Sequence, residues 1–317
     1  MRLRFSADLI VIGGGPAGYV GAIRAAQLGK KVACVEMDRA GGTCLNWGCI
    51  PTKALLKNAE LYHTLAHRAE EFGLKISGLE FDWSKVIGRS RKVSDKLNKG
   101  IEGLFKKNKV DYLRGTAKIP AAGKVEVTDK DGKSETHETK DILIATGATS
   151  RDMPGLPFDG KTVISSKEAM TLEKQPKSIV IIGAGAIGAE FAYFFNAYGT
   201  QVTLVEMAPN LLPVEDTEVS QALEKAFKKQ GIRFLTNTKS TAAKTDGKRV
   251  SVTVEGEANE TLEAEVCLVA IGVKPVLPEG IELKLTERGW LHTDDKYQTS
   301  VAGVYAVGDI IGPPWLA

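Results

Sequence analysis

The chain is 317 residues long, 43% hydrophobic and 26% charged, with 42 Lys and Arg against 39 Asp and Glu for a formal net charge of +3. That length can bury more than one core, so two or three domains are expected, and so small a net charge provides no field for gathering nucleic acid. The first uninterrupted apolar run is only Leu9 to Ile12, and nothing reads as a secretory signal, membrane span or lipidation motif; a soluble cytoplasmic protein is expected, in which a disulfide would be catalytic rather than structural.

The first elements are a strand, a turn and a helix. Asp8 to Ile12 runs into Gly13-Gly14-Gly15-Pro16-Ala17-Gly18, and an Ala-rich helical stretch, Gly21 to Leu28, follows. Gly-x-Gly-x-x-Gly in this setting predicts a dinucleotide cradle, whose backbone N–H groups and helix N-terminus accept a pyrophosphate. The next apolar strand, Lys31 to Val35, ends in Glu36, where a carboxylate can accept hydrogen bonds from both hydroxyls of an adenosine ribose.

A thiol pair comes next, Cys44 and Cys49, inside Gly41-Gly42-Thr43-Cys44-Leu45-Asn46-Trp47-Gly48-Cys49-Ile50-Pro51-Thr52-Lys53. Two thiols beside a dinucleotide site are the minimum apparatus for passing two electrons between a disulfide and an organic cofactor. In an undistorted helix five residues rise about 7.5 Å, beyond the ~4.4–6.8 Å that a disulfide allows between Cα atoms. The segment is therefore expected to bend at Gly48, forming a disulfide loop that leads into a helix beginning near Pro51.

Polar loop sequence from Gly73 to Ser84 precedes a basic amphipathic helix, Lys85 to Lys109, with Val86, Val93, Leu97, Ile101, Leu104 and Phe105 at helical spacing. Strands are predicted at Val110–Leu113, Lys124–Thr128 and Asp141 to Gly147, the last leading through Pro154-Gly155-Leu156-Pro157 into a second domain. There the first pattern recurs at a constant offset of 170 residues, Gly13 becoming Gly183, Gly18 becoming Gly188 and Glu36 becoming Glu206. Glu36 and Glu206 would each repel a 2′-phosphate, and no arginine cluster follows either strand. Because the cysteines follow the first copy, its dinucleotide must react with sulfur, which only a flavin can do while also exchanging electrons with a nicotinamide; FAD is assigned to the first site and NAD to the second. Cys34 and Cys267 fall in apolar strands and read as small buried hydrophobes, and without a CxxC or Cys/His set no metal site is expected.

Together these motifs resemble the flavin-dependent disulfide reductases over essentially the whole chain, and within that family the dihydrolipoamide dehydrogenase branch, on Gly41 to Lys53 and Gly183 to Pro213. The resemblance implies an α/β fold of two Rossmann-like dinucleotide-binding domains, FAD in 1–150 with the redox disulfide and NAD in 151–275, the NAD domain inserted in the FAD domain, to which 276–317 returns. It implies that Cys44 exchanges with the lipoyl disulfide, that Cys49 contacts the flavin, and that Lys53 stands beside the ring, paired with Glu190. It places FAD against Gly13, Gly15, Pro16, Ala17, Gly18, Glu36, Gly42, Thr43, Cys44, Lys53, Gly115, Thr116, Ala117, Ala145, Thr146, Gly147, Gly308, Asp309 and Ala317, and NAD against Gly183, Gly185, Ala186, Ile187, Gly188, Glu206 and Gly272. Many relatives carry arginine after the glycine of Gly272-Val273-Lys274-Pro275, a departure on the nicotinamide side.

The partner implied is a lipoyl-bearing protein of a 2-oxo acid dehydrogenase or glycine-cleavage system, with homodimerisation of the complete protein. Family members continue past the position of Ala317 with a dimerisation domain carrying an acid-base histidine, so the chain reads as an incomplete form in which dithiol turnover is slowed. The four histidines here, His63, His67, His137 and His292, lack that histidine's partner glutamate five residues on and read as surface or packing residues. Another disulfide or mercuric reductase, or a non-catalytic FAD-binding assembly fragment, are the alternatives.

Overall fold

The structure, a computed structural model, describes residues 3–315. It runs through β1 (Leu3–Ile12), α1 (Pro16–Gln27), β2 (Val32–Glu36), α2 (Gly42–Trp47), α3 (Cys49–His67) and α4 (Trp83–Lys107) to β3 (Asp111–Arg114), β4 (Thr116–Ala121), β5 (Lys124–Thr128) and β6 (Ser134–Ile144). Short strands β7 (Ala148–Ser150) and β8 (Val163–Ile164) and a single turn, α5 (Ser166–Ala169), precede β9 (Ser178–Ile182), α6 (Ala186–Ala197), β10 (Gln201–Val205), α7 (Thr217–Lys229) and β11 (Arg233–Leu235). The remaining strands are β12 (Thr238–Thr245), β13 (Val250–Gly256), β14 (Glu260–Ala264), β15 (Val266–Val269), β16 (Val273–Pro275) and β17 (Val304–Ala306).

Two compact units divide these elements: residues up to Ile50, Val93–Thr149 and residues from Lys274 onward form the first, and Pro51–Lys92 with Ser150–Val273 form the second. The first is built on a seven-stranded sheet of order β3-β2-β1-β6-β5-β4, with β17 also on β6. Pairings among β3, β2, β1, β6 and β17 are parallel, and β4-β5-β6 is an antiparallel meander. The second has a five-stranded parallel sheet, β11-β10-β9-β15-β8, and a separate antiparallel meander β12-β13-β14. The repeat read at an offset of 170 residues recurs in the sheets, since β3-β2-β1-β6 and β11-β10-β9-β15 place strands in the same sequential order; the fifth strands differ, β17 following β6 in the chain and β8 preceding β9. This is the α/β, Rossmann-like architecture expected.

Strands buried on both faces read as uninterrupted apolar runs, and alternation divides each run between two cores. In the first unit Ile10, Ile12, Ala33 and Val35 enter one cluster while Val11, Val32 and Cys34 enter the other. In the second, Ile179, Ile181 and Leu268 face one core and Val180, Ile182 and Cys267 the opposite one. Both Cys34 and Cys267 are fully buried, and desolvation raises both thiols, Cys267 to about 12.

Residues 51–92 depart from the expected first domain. They join the second unit because Leu55, Ala59, Trp83, Val86 and Ile87 share a core with Phe191, Phe194 and Phe195 of α6. Trp83 lies 5.4 Å from Phe194 between ring centres and donates through Nε1 to the Leu172 carbonyl at 2.8 Å; burying each such aromatic contributes about 1.5–3 kcal/mol. Helix α4 also starts two residues before the predicted Lys85, because Asp82 accepts from the Ser84 hydroxyl at 2.6 Å and the Lys85 amide at 3.2 Å, capping the first turn. None of the described helices is long and apolar enough to cross a membrane.

Candidate active site

The two glycine turns fold alike because each glycine answers a local demand. Gly13 has φ 102° and Gly183 φ 97°, and a Cβ on either would collide with the carbonyl oxygen of Ala145 or Ala270 at the end of the neighbouring strand. A Cβ on Gly18 would overlap the Gly13 carbonyl oxygen, and one on Gly188 the Gly183 oxygen, so helix and strand close only without side chains there. Gly185 has open space around its missing Cβ, and Gly15 has only the Cα of Gly42, at 3.8 Å. Those are the positions where a pyrophosphate must approach backbone.

The helices that follow are left ready for an anion. Helices α1 and α6 both span 12 residues, and their N-caps, Gly15 and Gly185, supply no side-chain hydrogen bond to the first turn. By contrast, the N-cap of α7, Asp216, accepts from the Glu218 amide. The first N–H groups of α1 and α6 therefore have no side-chain acceptor at the cap, as an incoming phosphate needs.

Each turn is tied to its carboxylate in the same way. Glu36 accepts from the Gly14 amide through Oε2 and from the Asp38 amide through Oε1, both at 2.8 Å. Glu206 accepts from Ala184 at 2.7 Å and Ala208 at 2.8 Å. Both side chains are buried, and desolvation pushes the Glu36 carboxyl up against the downward pull of its amide donors. Each carboxylate oxygen retains a lone pair for a ribose hydroxyl. Uncapped helix starts, open second glycines and buried carboxylates fit a dinucleotide in each unit.

The Cys44–Cys49 segment packs directly on the first turn. The Gly41 amide donates to the Gly14 carbonyl at 2.7 Å, and at Gly42, φ 56°, a Cβ would overlap the Cα of Gly15. Where a disulfide loop is expected, Gly42–Trp47 is helical, and α3 begins at Cys49, two residues before the expected start near Pro51, which lies inside its first turn. The bend does fall at Gly48, where φ −145° and ψ −122° interrupt the helical backbone and a Cβ would stand 3.0 Å from the Thr43 carbonyl oxygen. Buried Asn46 fixes the turn, its Nδ2 donating to the carbonyls of Ala40 and Gly42 at 3.0 Å. Asn98 of α4 reaches the same Ala40 carbonyl at 2.6 Å, and Trp47 donates to Asp38 at 2.6 Å. Sequence reasoning missed these supports, although a buried amide among apolar neighbours beside Cys44 was a signal.

Cys44 and Cys49 are half-buried, and Cys44 packs with the core that holds Ala17 and Tyr19 of α1. Burial, then the nearby Cys44, raises the Tyr19 phenol. Cys49 is the first residue of α3, where the helix dipole favours an anion.

Other residues assigned from sequence surround the first turn. The Gly115 amide donates to the Glu36 carbonyl at 3.0 Å, ahead of Thr116 and Ala117 in β4. The Ala145 amide donates to Ile12 at 2.7 Å, and the Thr146 hydroxyl and Gly147 carbonyl are both bonded to Val276. At Gly308, φ 79°, a Cβ would lie 2.9 Å from the Cβ of Ala17, which brings Asp309 beside the start of α1. Thr43 and Asp309 are open to solvent, though desolvation still raises the Asp309 carboxyl. In the second unit Lys53 Nζ meets Glu190 Oε1 at 3.0 Å, half-exposed, and the Gly272 carbonyl accepts from Arg151 at 2.9 Å. Ala186 and Ile187 open α6 beside Gly185. Ala317 lies outside the described residues.

Residues 7–317 match the family described as pyridine nucleotide-disulphide oxidoreductase. The chain belongs to that family. Like other pyridine nucleotide-disulphide oxidoreductases it is built for FAD and NAD. It is 45% identical over 316 residues to a dihydrolipoyl dehydrogenase of Chlorobaculum parvum, covering 98% of this chain and 67% of that protein. With the mitochondrial dihydrolipoyl dehydrogenase of Pisum sativum the identity is 40%, over 98% of this chain and 64% of that one. The solved structure of LpdA from Mycobacterium tuberculosis superposes with a TM-score of 0.88 at 27% identity, covering 97% of this chain and 69% of its own. The chain thus spans about two thirds of the length of these family members.

Proposed function

We propose that this chain carries the dithiol-to-nicotinamide electron transfer of a dihydrolipoyl dehydrogenase, oxidising protein-bound dihydrolipoamide with NAD as acceptor. The observation that carries the reading is the packing of the Cys44–Cys49 segment on the first glycine turn through Gly41 and Gly42, in a chain with two complete dinucleotide cradles.

FAD, when bound, supplies two-electron exchange between a dithiol and a nicotinamide. Gly13, Gly15 and Gly18 with the start of α1 would hold its pyrophosphate, Glu36 its ribose, and Asp309 its ribitol chain. In the dithiol half-reaction a substrate thiolate attacks Cys44 Sγ of the disulfide, and Cys49 leaves as thiolate, favoured by the N-terminus of α3. The second substrate thiolate then attacks the sulfur bound to Cys44, closing the cyclic disulfide and releasing Cys44; substrate loses two electrons and the cysteine pair gains them. The Lys53–Glu190 pair places a cation one turn beyond Cys49. Gly183, Gly185 and Gly188 would take the NAD pyrophosphate, and Glu206 would accept its ribose hydroxyls and exclude a 2′-phosphate. The partner is a lipoyl-bearing protein of a 2-oxo acid dehydrogenase or glycine-cleavage system, and the setting is cytoplasmic.

The test is a visible spectrum of the FAD-loaded protein before and after dithiothreitol, with Cys44→Ser and Cys49→Ser beside it, followed by NADH-dependent lipoamide reduction. Long-wavelength thiolate-to-flavin absorbance on reduction, lost in Cys49→Ser, is expected, with lipoamide reduction lost in both variants. A flavin spectrum indifferent to both cysteines overturns the proposal.

A further inference from the structure

Histidines 63 and 67 stand on the last turns of α3, one turn apart on the same face, with ring centres 4.7 Å apart and planes at 48°. Residues four apart on a helix present side chains to one another, and two imidazoles so placed form a bidentate donor for a metal ion. A metal about 2.0–2.1 Å from one nitrogen of each ring, with a bond angle near 90–100°, leaves the ring centres ~4.5–5 Å apart; the pair already has that separation. We infer that His63 and His67 chelate a borderline divalent ion of the late first row, Ni(II), Cu(II) or Zn(II), on the last turns of α3.

His63 is half-buried. Arg68, the nearest cation, is held elsewhere by Glu71, to which its Nε donates at 3.0 Å and its Nη2 at 2.7 Å. Lys57 is paired with Glu60 at 2.9 Å. From α6, Tyr193 lies 6.5 Å from His63 between ring centres, an apolar wall with a neutral phenol that burial and Glu60 push up. His67 is exposed, so the ion is reached from solvent. Among the described residues no third histidine, cysteine or carboxylate completes the group, so water fills the remaining positions. Imidazole donors suit Zn, Cu and Ni over Mg and Ca, which prefer oxygen ligands. The inference adds a role to two histidines that the sequence reads as surface or packing residues and that the structure places there, His67 exposed and His63 half-buried.

The experiment uses FAD-loaded protein whose accessible thiols have been blocked with N-ethylmaleimide, titrated calorimetrically with nickel chloride and then zinc chloride. One ion per chain is expected, with affinity falling about tenfold or more in both His63→Gln and His67→Gln as bidentate binding becomes monodentate. His292→Gln, which removes an isolated exposed histidine, should bind as wild type. The thermal midpoint should rise with metal in wild type and not in His67→Gln, a readout of binding to the folded state. No binding at millimolar metal, or binding that both α3 variants leave unchanged, overturns the inference.

Discussion

Asp309 is a carboxylate that the folded chain holds at a cost. Gly308 carries it to the start of α1, where desolvation keeps its carboxyl above the ordinary carboxylate value even though the side chain faces solvent. An acid with a raised folded pKa binds its proton more tightly in the native state, so ionisation withdraws stability as pH climbs through the unfolded value of 3.8 and then the folded one. Removing the charge should therefore help the nucleotide-free protein. Asp309→Asn is expected to unfold at a slightly higher temperature than wild type at pH 7 and at the same temperature below about pH 3, where both side chains are neutral. It should also retain FAD less well, as expected where function keeps a destabilising group. A variant no more stable at neutral pH than at acid pH, relative to wild type, removes this account of Asp309.

At the scale of elements, the glycines of one motif separate folding from binding. Gly188→Ala puts a methyl on the Gly183 carbonyl oxygen, so α6 and β9 must part, at a cost of about 1–3 kcal/mol or more. Gly185→Ala meets nothing within 4 Å at an ordinary φ of −67°. It should hold within about 1 kcal/mol of wild-type stability while its methyl occupies the space proposed for the pyrophosphate. Thermal melts beside NADH titrations check the contrast: a low midpoint for Gly188→Ala, and a normal midpoint with weakened NADH binding for Gly185→Ala. Equal loss of stability in both variants would show that Gly185 serves packing instead. Such glycines and the strands beside them were legible in the sequence because their demands are local: a turn needs φ > 0 or a missing Cβ, and a strand buried on both faces needs an apolar run. The grouping of residues 51–92 was not legible, since it depends on Trp83 meeting Leu172 and Phe194, about 100 positions away in the chain. Nor was the start of α3 at Cys49, which follows from Asn46 bonding back to Ala40 and Gly42 and winding the Cys44–Cys49 segment into helix.

At the scale of the whole molecule, duplication makes the two nucleotide sites separable. Each unit repeats the order of four strands, the uncapped 12-residue helix and the buried glutamate on the turn amide, so each cradle should keep its function when the other is damaged. Replacing Glu36 by glutamine leaves one acceptor oxygen where two amides and two ribose hydroxyls converge. A hydrogen bond to a charged partner contributes about 1.5–3 kcal/mol, which is ~10–100-fold in affinity. Glu36→Gln should therefore lose FAD about 10–100-fold more readily, while NADH affinity, measured by fluorescence titration with excess FAD present, stays at the wild-type value. Glu206→Gln should do the reverse, keeping its flavin, weakening toward NADH and tolerating NADPH better once no carboxylate faces the 2′-phosphate. If either substitution weakened both nucleotides to the same degree, the sites would be coupled through the fold, and the assignment of one nucleotide to each unit would fail.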